Sequence, residues 1–152
     1  MRSVSRHDFG IQFSVLARRW RTHLDRTLAQ AGLTDATWGP LIHLDRSGDG
    51  VPQKTLADRI GIDSSTLVRL IDILEKRGLV ERRTDTADRR ARLLYLTKTG
   101  RRSVSDIKVA LAEAEDQMLA DVDDAAIDAV LAVFGKIRRR LDERADATEH
   151  AE

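Results

Sequence analysis

Between residues 52 and 96 the hydrophobic period of the chain changes from about 3.6 to 2, with glycines where the direction changes. Leu56, Ala57 and Ile60 share a helical face and predict a short helix from Pro52 to Ile60, with Pro52 suited to the first helical position. Gly61 ends it. Asp63 or Ser64 can cap a second helix reaching Arg77, whose inward residues are Leu67, Leu70, Ile71 and Leu74. Gly78 stops that helix. Leu79–Arg83 and Arg92–Leu96 then read as two short strands around a polar loop, forming a hairpin with a charged tip. A helix pair followed by a hairpin leaves room for few architectures and excludes an all-β domain.

The flanks are helical. Phe9, Phe13, Leu16, Trp20, Leu24, Leu28 and Ala31 predict a helix over 9–31, with Gly32 at its C-cap. Thr34 or Asp35 can cap the next, which carries Trp38, Leu41, Ile42 and Leu44, with Pro40 about one turn in. Ser47-Gly48-Asp49-Gly50 breaks the chain. Thr97 can cap a long helix through Leu119, despite the early Gly100. Its apolar side is Val104, Ile107, Leu111, Ala114, Met118 and Leu119. Asp121–Asp124 gives an acidic start to a last helix bearing Ile127, Val130, Leu131, Phe134, Ile137 and Leu141. Residues 144–152 have no apolar face and predict a disordered tail.

The fold class is therefore mainly α with a small β-hairpin wing, the order of a winged helix-turn-helix. The expected division is a winged helix-turn-helix domain over 34–103 and a helical dimerisation region from 1–33 and 104–143. Terminal helices with apolar faces on a chain this size need a surface to cover them, and a two-fold partner supplies one.

The formal charge of +1 conceals an asymmetry: +2 over residues 1–52, +6 over 53–103 and −7 over 104–152. A basic middle beside an acidic end suits a polyanion-binding module joined to a part with another task. The second helix of the pair presents its first turn to a major groove. Ser64, Ser65 and Thr66 offer small hydroxyls there, and Arg69 lies about one turn on. Gln53, Lys54 and Thr55, opening the preceding helix, suit backbone contacts. The hairpin carries Arg82, Arg83, Arg89, Arg90 and Arg92. Arginine at a wing tip fits a narrow minor groove, and Asp88 can orient a neighbouring arginine. Plainer readings stand beside these: Ser64 and Ser65 as caps, Arg69 paired with Asp72, Asp88 as a turn residue, and the arginines as solvated charge.

At these residues the chain resembles the MarR family of transcriptional regulators, in its SlyA-like branch. The resemblance rests on Leu56-Ala57-Asp58-Arg59-Ile60-Gly61-Ile62, Ser65–Asp72, Leu74–Arg82, Asp88-Arg89-Arg90-Ala91 and Leu96-Thr97-Lys98-Thr99-Gly100, and extends over nearly the whole chain. It implies a triangular homodimer, its terminal helices interdigitated, with two winged domains on successive major grooves of a palindromic operator in double-stranded DNA. It also implies that Ser64, Ser65, Thr66 and Arg69 lie on the recognition helix. In the wing, Asp88 would brace an Arg90 that enters the minor groove, and Arg89 would meet phosphate. A cytoplasmic regulator, most simply a repressor, is the expected function.

Such proteins commonly bind small aromatic acids. Trp20, His23, Trp38 and His43 offer aromatic and imidazole walls, and Arg18 or Arg19 a partner for a carboxylate. Core packing competes with that role, since Trp20 sits on an inward stripe and Trp38 and His43 are five residues apart. His7, His23, His43 and His150 lack ligand spacing and the chain has no Cys, so no metal or other cofactor is expected. No nucleophile–base pair or phosphate loop supports an enzyme. No apolar run reaches a membrane span of about 18 residues. The alternative is a dimeric winged-helix module that binds protein and has lost DNA.

Overall fold

The computed structural model describes residues 6–30 and 37–149. In chain order the elements are α1 (Arg6–Gln30), α2 (Trp38–Ser47), β1 (Val51–Pro52), α3 (Gln53–Ile60), α4 (Ser64–Lys76), β2 (Val80–Thr84), β3 (Arg92–Leu96), α5 (Lys98–Met118) and α6 (Asp124–Glu149). Ala31, Gly32, Thr34, Asp35 and His150, to which caps, an apolar position or a tail were assigned from sequence, lie outside the described residues.

The chain divides into two compact units, residues 1–114 and 115–152. The core of the first is built from Leu28 of α1, Leu41 and Leu44 of α2, Leu56 of α3, Leu67, Ile71 and Leu74 of α4, Leu94 of β3, and Val104 and Ile107 of α5. The helix-turn-helix follows the expected chemistry. Gly61 adopts φ +77°, a left-handed conformation that costs glycine little, and its N–H donates to Ala57 O at 2.9 Å. Leu79 N then reaches Leu74 O at 3.0 Å past the end of α4.

The sheet differs from the expected two-strand hairpin. Its order is β1-β3-β2, both pairs antiparallel. Val51 lies opposite Leu94 and Pro52 opposite Leu93. Pro52 is thus not the first residue of a helix. It is extended, at φ −61° and ψ 139°, and α3 starts at Gln53. A two-residue strand is too short to show alternation, and proline is tolerated in an edge strand because it need not donate there. The first hairpin strand begins and ends one residue later than its sequence reading, and the second keeps the bounds Arg92–Leu96.

Gly100 has a reason that periodicity did not supply. Thr97 Oγ1 accepts from Gly100 N at 3.0 Å, capping α5, and donates to Gly78 O at 2.6 Å. This brings α5 so close to the strand entry that a Cβ at position 100 would lie 2.0 Å from Leu79 O.

In the second unit, Asp123 caps α6 by accepting from Ala126 N at 2.8 Å. The helix runs on to Glu149, so the tail expected to be disordered from 144 is helical to that residue. Alanine, arginine and glutamate favour helix there, and Arg140 pairs with Glu143 one turn on. Val130, Leu131, Phe134, Ile137 and Leu141 of α6 are exposed, as are Phe9, Phe13 and Leu16 of α1.

Candidate nucleic-acid interface

The first turn of α4 is organised by Asp63. One of its carboxylate oxygens accepts from Thr66 N at 2.8 Å and from Ser65 Oγ at 2.5 Å, and the other from Thr66 Oγ1 at 2.7 Å. Asp63, not Ser64 or Ser65, is the N-cap. The hydroxyl hydrogens of Ser65 and Thr66 are committed to it, so these side chains face a partner as acceptors, while Ser64 stays exposed. Those hydrogen bonds hold the Asp63 carboxyl well below the usual carboxylate range. A lowered folded-state pKa adds stability above the unfolded value, near pH 4, and loses it as pH falls through the folded one. Asp63→Ala is therefore expected to lower the melting temperature at pH 7 and to flatten its fall in strong acid. Parallel melting curves for both proteins from pH 7 to pH 2 would remove the cap from this account.

Arg69 is exposed and makes no ion pair among the described residues; Asp72 turns to Arg82 instead. Lys54 is exposed and Thr55 half-buried at the start of α3. In the wing, Asp88 does both things its type allows. Its carboxylate accepts from Arg90 N at 3.0 Å and lies 3.5 Å from Arg90 Nε. The Arg90 side chain is 95% exposed and Arg89 is exposed beside it. Arg83 lies over the Tyr95 ring, 4.0 Å from its centroid, and pairs with Glu81. Arg92 donates to Thr84 Oγ1.

Arg82 departs from its sequence assignment as a DNA contact. Its side chain is 19% exposed. Nε donates to Gln53 Oε1 at 3.1 Å, Nη1 to Glu75 Oε2 at 2.7 Å, and Nη2 to Asp72 Oδ1 at 2.6 Å and Val68 O at 3.2 Å. The cause is strand alternation: Val80 and Arg82 pair opposite the buried Leu96 and Leu94, which turns Arg82 inward and Arg83 outward. Gln53, also assigned to DNA, gives its carbonyl oxygen to this network.

The residues assigned to a ligand separate into two groups. Trp38 Nε1 donates to Asp25 Oδ1 at 2.7 Å, tying α2 to α1. Arg21 lies over the same indole, 4.1 Å from its centroid, and donates to Asp25 at 3.1 Å. His43 is half-buried; burial first, then the charges of Arg46 and Arg21, push its pKa down, keeping the imidazole neutral near pH 7. Arg18, Trp20 and His23 take no part in these bonds. Arg21 and Asp25 were not singled out from sequence; their spacing of four on a helix was the signal available. Among the described residues no three His, Asp or Glu gather as a metal site, and no helix is long and apolar enough to cross a membrane.

Residues 31–91 match the sequence model of the MarR family. Among solved structures, that of the transcriptional regulator PA3341 is similar at a TM-score of 0.80 and 35% identity, over 89% of this chain and 98% of that one. CouR from Rhodococcus jostii RHA1, bound to p-coumaroyl-CoA, matches at 0.76 and 28%, over 90% and 95%. The transcriptional repressor CouR bound to a 23-mer DNA duplex matches at 0.75 and 27%, over 91% and 99%.

Proposed function

This chain belongs to the MarR family of DNA-binding transcriptional regulators, which are not enzymes, and on that premise we propose that it is a repressor acting as a homodimer on a palindromic operator in cytoplasmic DNA. The observation that carries the reading is the wing tip, where Asp88 steadies an Arg90 that is otherwise almost wholly in solvent. A guanidinium held forward from a hairpin suits the negative potential of a narrow minor groove. Ser64, Ser65, Thr66 and Arg69 face the major groove, and Lys54, Thr55 and Arg89 the phosphates. The exposed apolar faces of α1 and α6 pair with those of a second copy, which sets the two recognition helices about one helical turn apart.

A small aromatic acid is the proposed effector. Its ring would stack near Trp38 and its carboxylate would take Arg21 from Asp25, loosening the tie between α1 and α2. The relative CouR binds p-coumaroyl-CoA, which supports the aromatic part of such a ligand, its carboxyl there being a thioester. Release follows only from a difference in ligand affinity between the two states.

The test is selection of bound fragments from a sheared source genome by the purified protein and by Arg90→Ala. A palindrome enriched with the unmodified protein and weakened or lost with Arg90→Ala is the expected result. No enrichment at low salt from a folded dimer would favour a protein-interaction module instead.

A further inference from the structure

Three elements of the interface meet at one side chain that faces away from solvent. Arg82 of β2 holds the opening of α3 through Gln53, and α4 through Val68 O, Asp72 and Glu75. Its own backbone N–H also donates to Glu75 Oε1 at 3.2 Å. Val68, Asp72 and Glu75 fall at spacings of four and three, on one face of α4. The wing leaves α4 through Gly78, at φ +69°, a left-handed turn that costs glycine little.

We propose that Arg82 is a positioning residue for DNA binding: its guanidinium fixes the wing against the recognition helix α4 and the start of α3, so that Arg90 and α4 reach one duplex in register. The inference rests on the DNA-binding reading above. Asp72 and Glu75 are 49% and 42% exposed, so these ion pairs add little to stability. A planar fork with five N–H donors, bound on three sides, fixes direction far better than a lysine ammonium does. The network is thus better suited to setting an angle than to holding the fold.

The proposal reverses an electrostatic expectation. Asp72 and Glu75 are negative charges on the helix that enters the groove of a polyanion. Removing them should tighten DNA binding by reducing repulsion and by releasing Arg82 toward the backbone. If they anchor the strut, removing them weakens it.

The test measures affinity for a duplex chosen by the unmodified protein from a random library. Asp72→Asn with Glu75→Gln is expected to weaken binding about tenfold, the scale of one lost groove contact. Arg82→Lys, which keeps the charge, should weaken it comparably. In either background Arg90→Ala should cost little more, because the wing is already out of place. Tighter or unchanged binding by the acidic pair variant overturns the strut, as does full additivity with Arg90→Ala. Should the pair variant melt below the assay temperature, Glu75→Gln alone takes its place, with additivity as the deciding readout. If the unmodified protein selects no duplex, the DNA-binding reading fails first and the strut with it.

Discussion

Alanine at position 100 is expected to destabilise the winged motif by roughly 3 kcal/mol or more, a large share of the 5–15 kcal/mol that typically separates folded from unfolded domains. Helix propensity alone argues the reverse, since glycine to alanine inside a helix usually gains about 1 kcal/mol. The difference lies in one contact. A Cβ on Gly100 would stand 2.0 Å from Leu79 O, and the nearby atoms are backbone, which cannot rotate away. Thr97 leaves little room to retreat, because it caps α5 and is bonded to Gly78 O at the same corner. Urea denaturation of Gly100→Ala beside the unmodified protein measures the effect. A midpoint that is unchanged or raised would show that α5 does not approach the strand entry this closely.

On the proposed homodimer, Leu131→Glu with Phe134→Glu should leave the chain folded, yield a monomer and lower operator affinity by about a hundredfold or more. Leu131 is 58% and Phe134 40% exposed in the single chain, so a charge at either position keeps access to water. In a dimer the same charges would be desolvated against apolar partners. Two winged domains joined in one particle gain affinity through effective concentration, by factors on the order of 10²–10⁴. Sedimentation velocity and titration of the selected duplex read the two consequences separately. A variant that remains dimeric would move the interface off α6. A monomer with undiminished affinity would remove the need for two-fold binding.

What the sequence disclosed was mostly local. Gly61 and the cap that Thr97 gives Gly100 N act within a turn of where they stand, and neighbouring residues suffice to place them. Asp88 and Arg90 are two apart, so the brace was visible as a motif before its geometry was. Asp63 was one of two cap candidates, and three bonds converging on its carboxylate decide between them. Contacts between distant segments were hidden. β1 exists only because β3 lies beside it, and two residues cannot announce a partner more than 40 positions away. Trp38 and Asp25 are 13 residues apart on different helices, so a tie between α1 and α2 resembled half of a ligand site. Arg82 is the instructive case. Composition placed it with the other wing arginines, whereas alternation counted from Val80 would have turned it inward, toward Asp72 and Glu75.

The most direct measurement is the affinity of the selected duplex as a function of salt, for the unmodified protein and for Arg90→Ala. Six to ten phosphate contacts predict a linear loss on logarithmic axes, about a thousandfold or more between 50 and 200 mM salt. Arg90→Ala should bind more weakly, with a slope shallower by about two, one for each subunit's wing. A flat salt dependence, or curves for the two proteins that coincide, would contradict a wing that carries Arg90 into DNA.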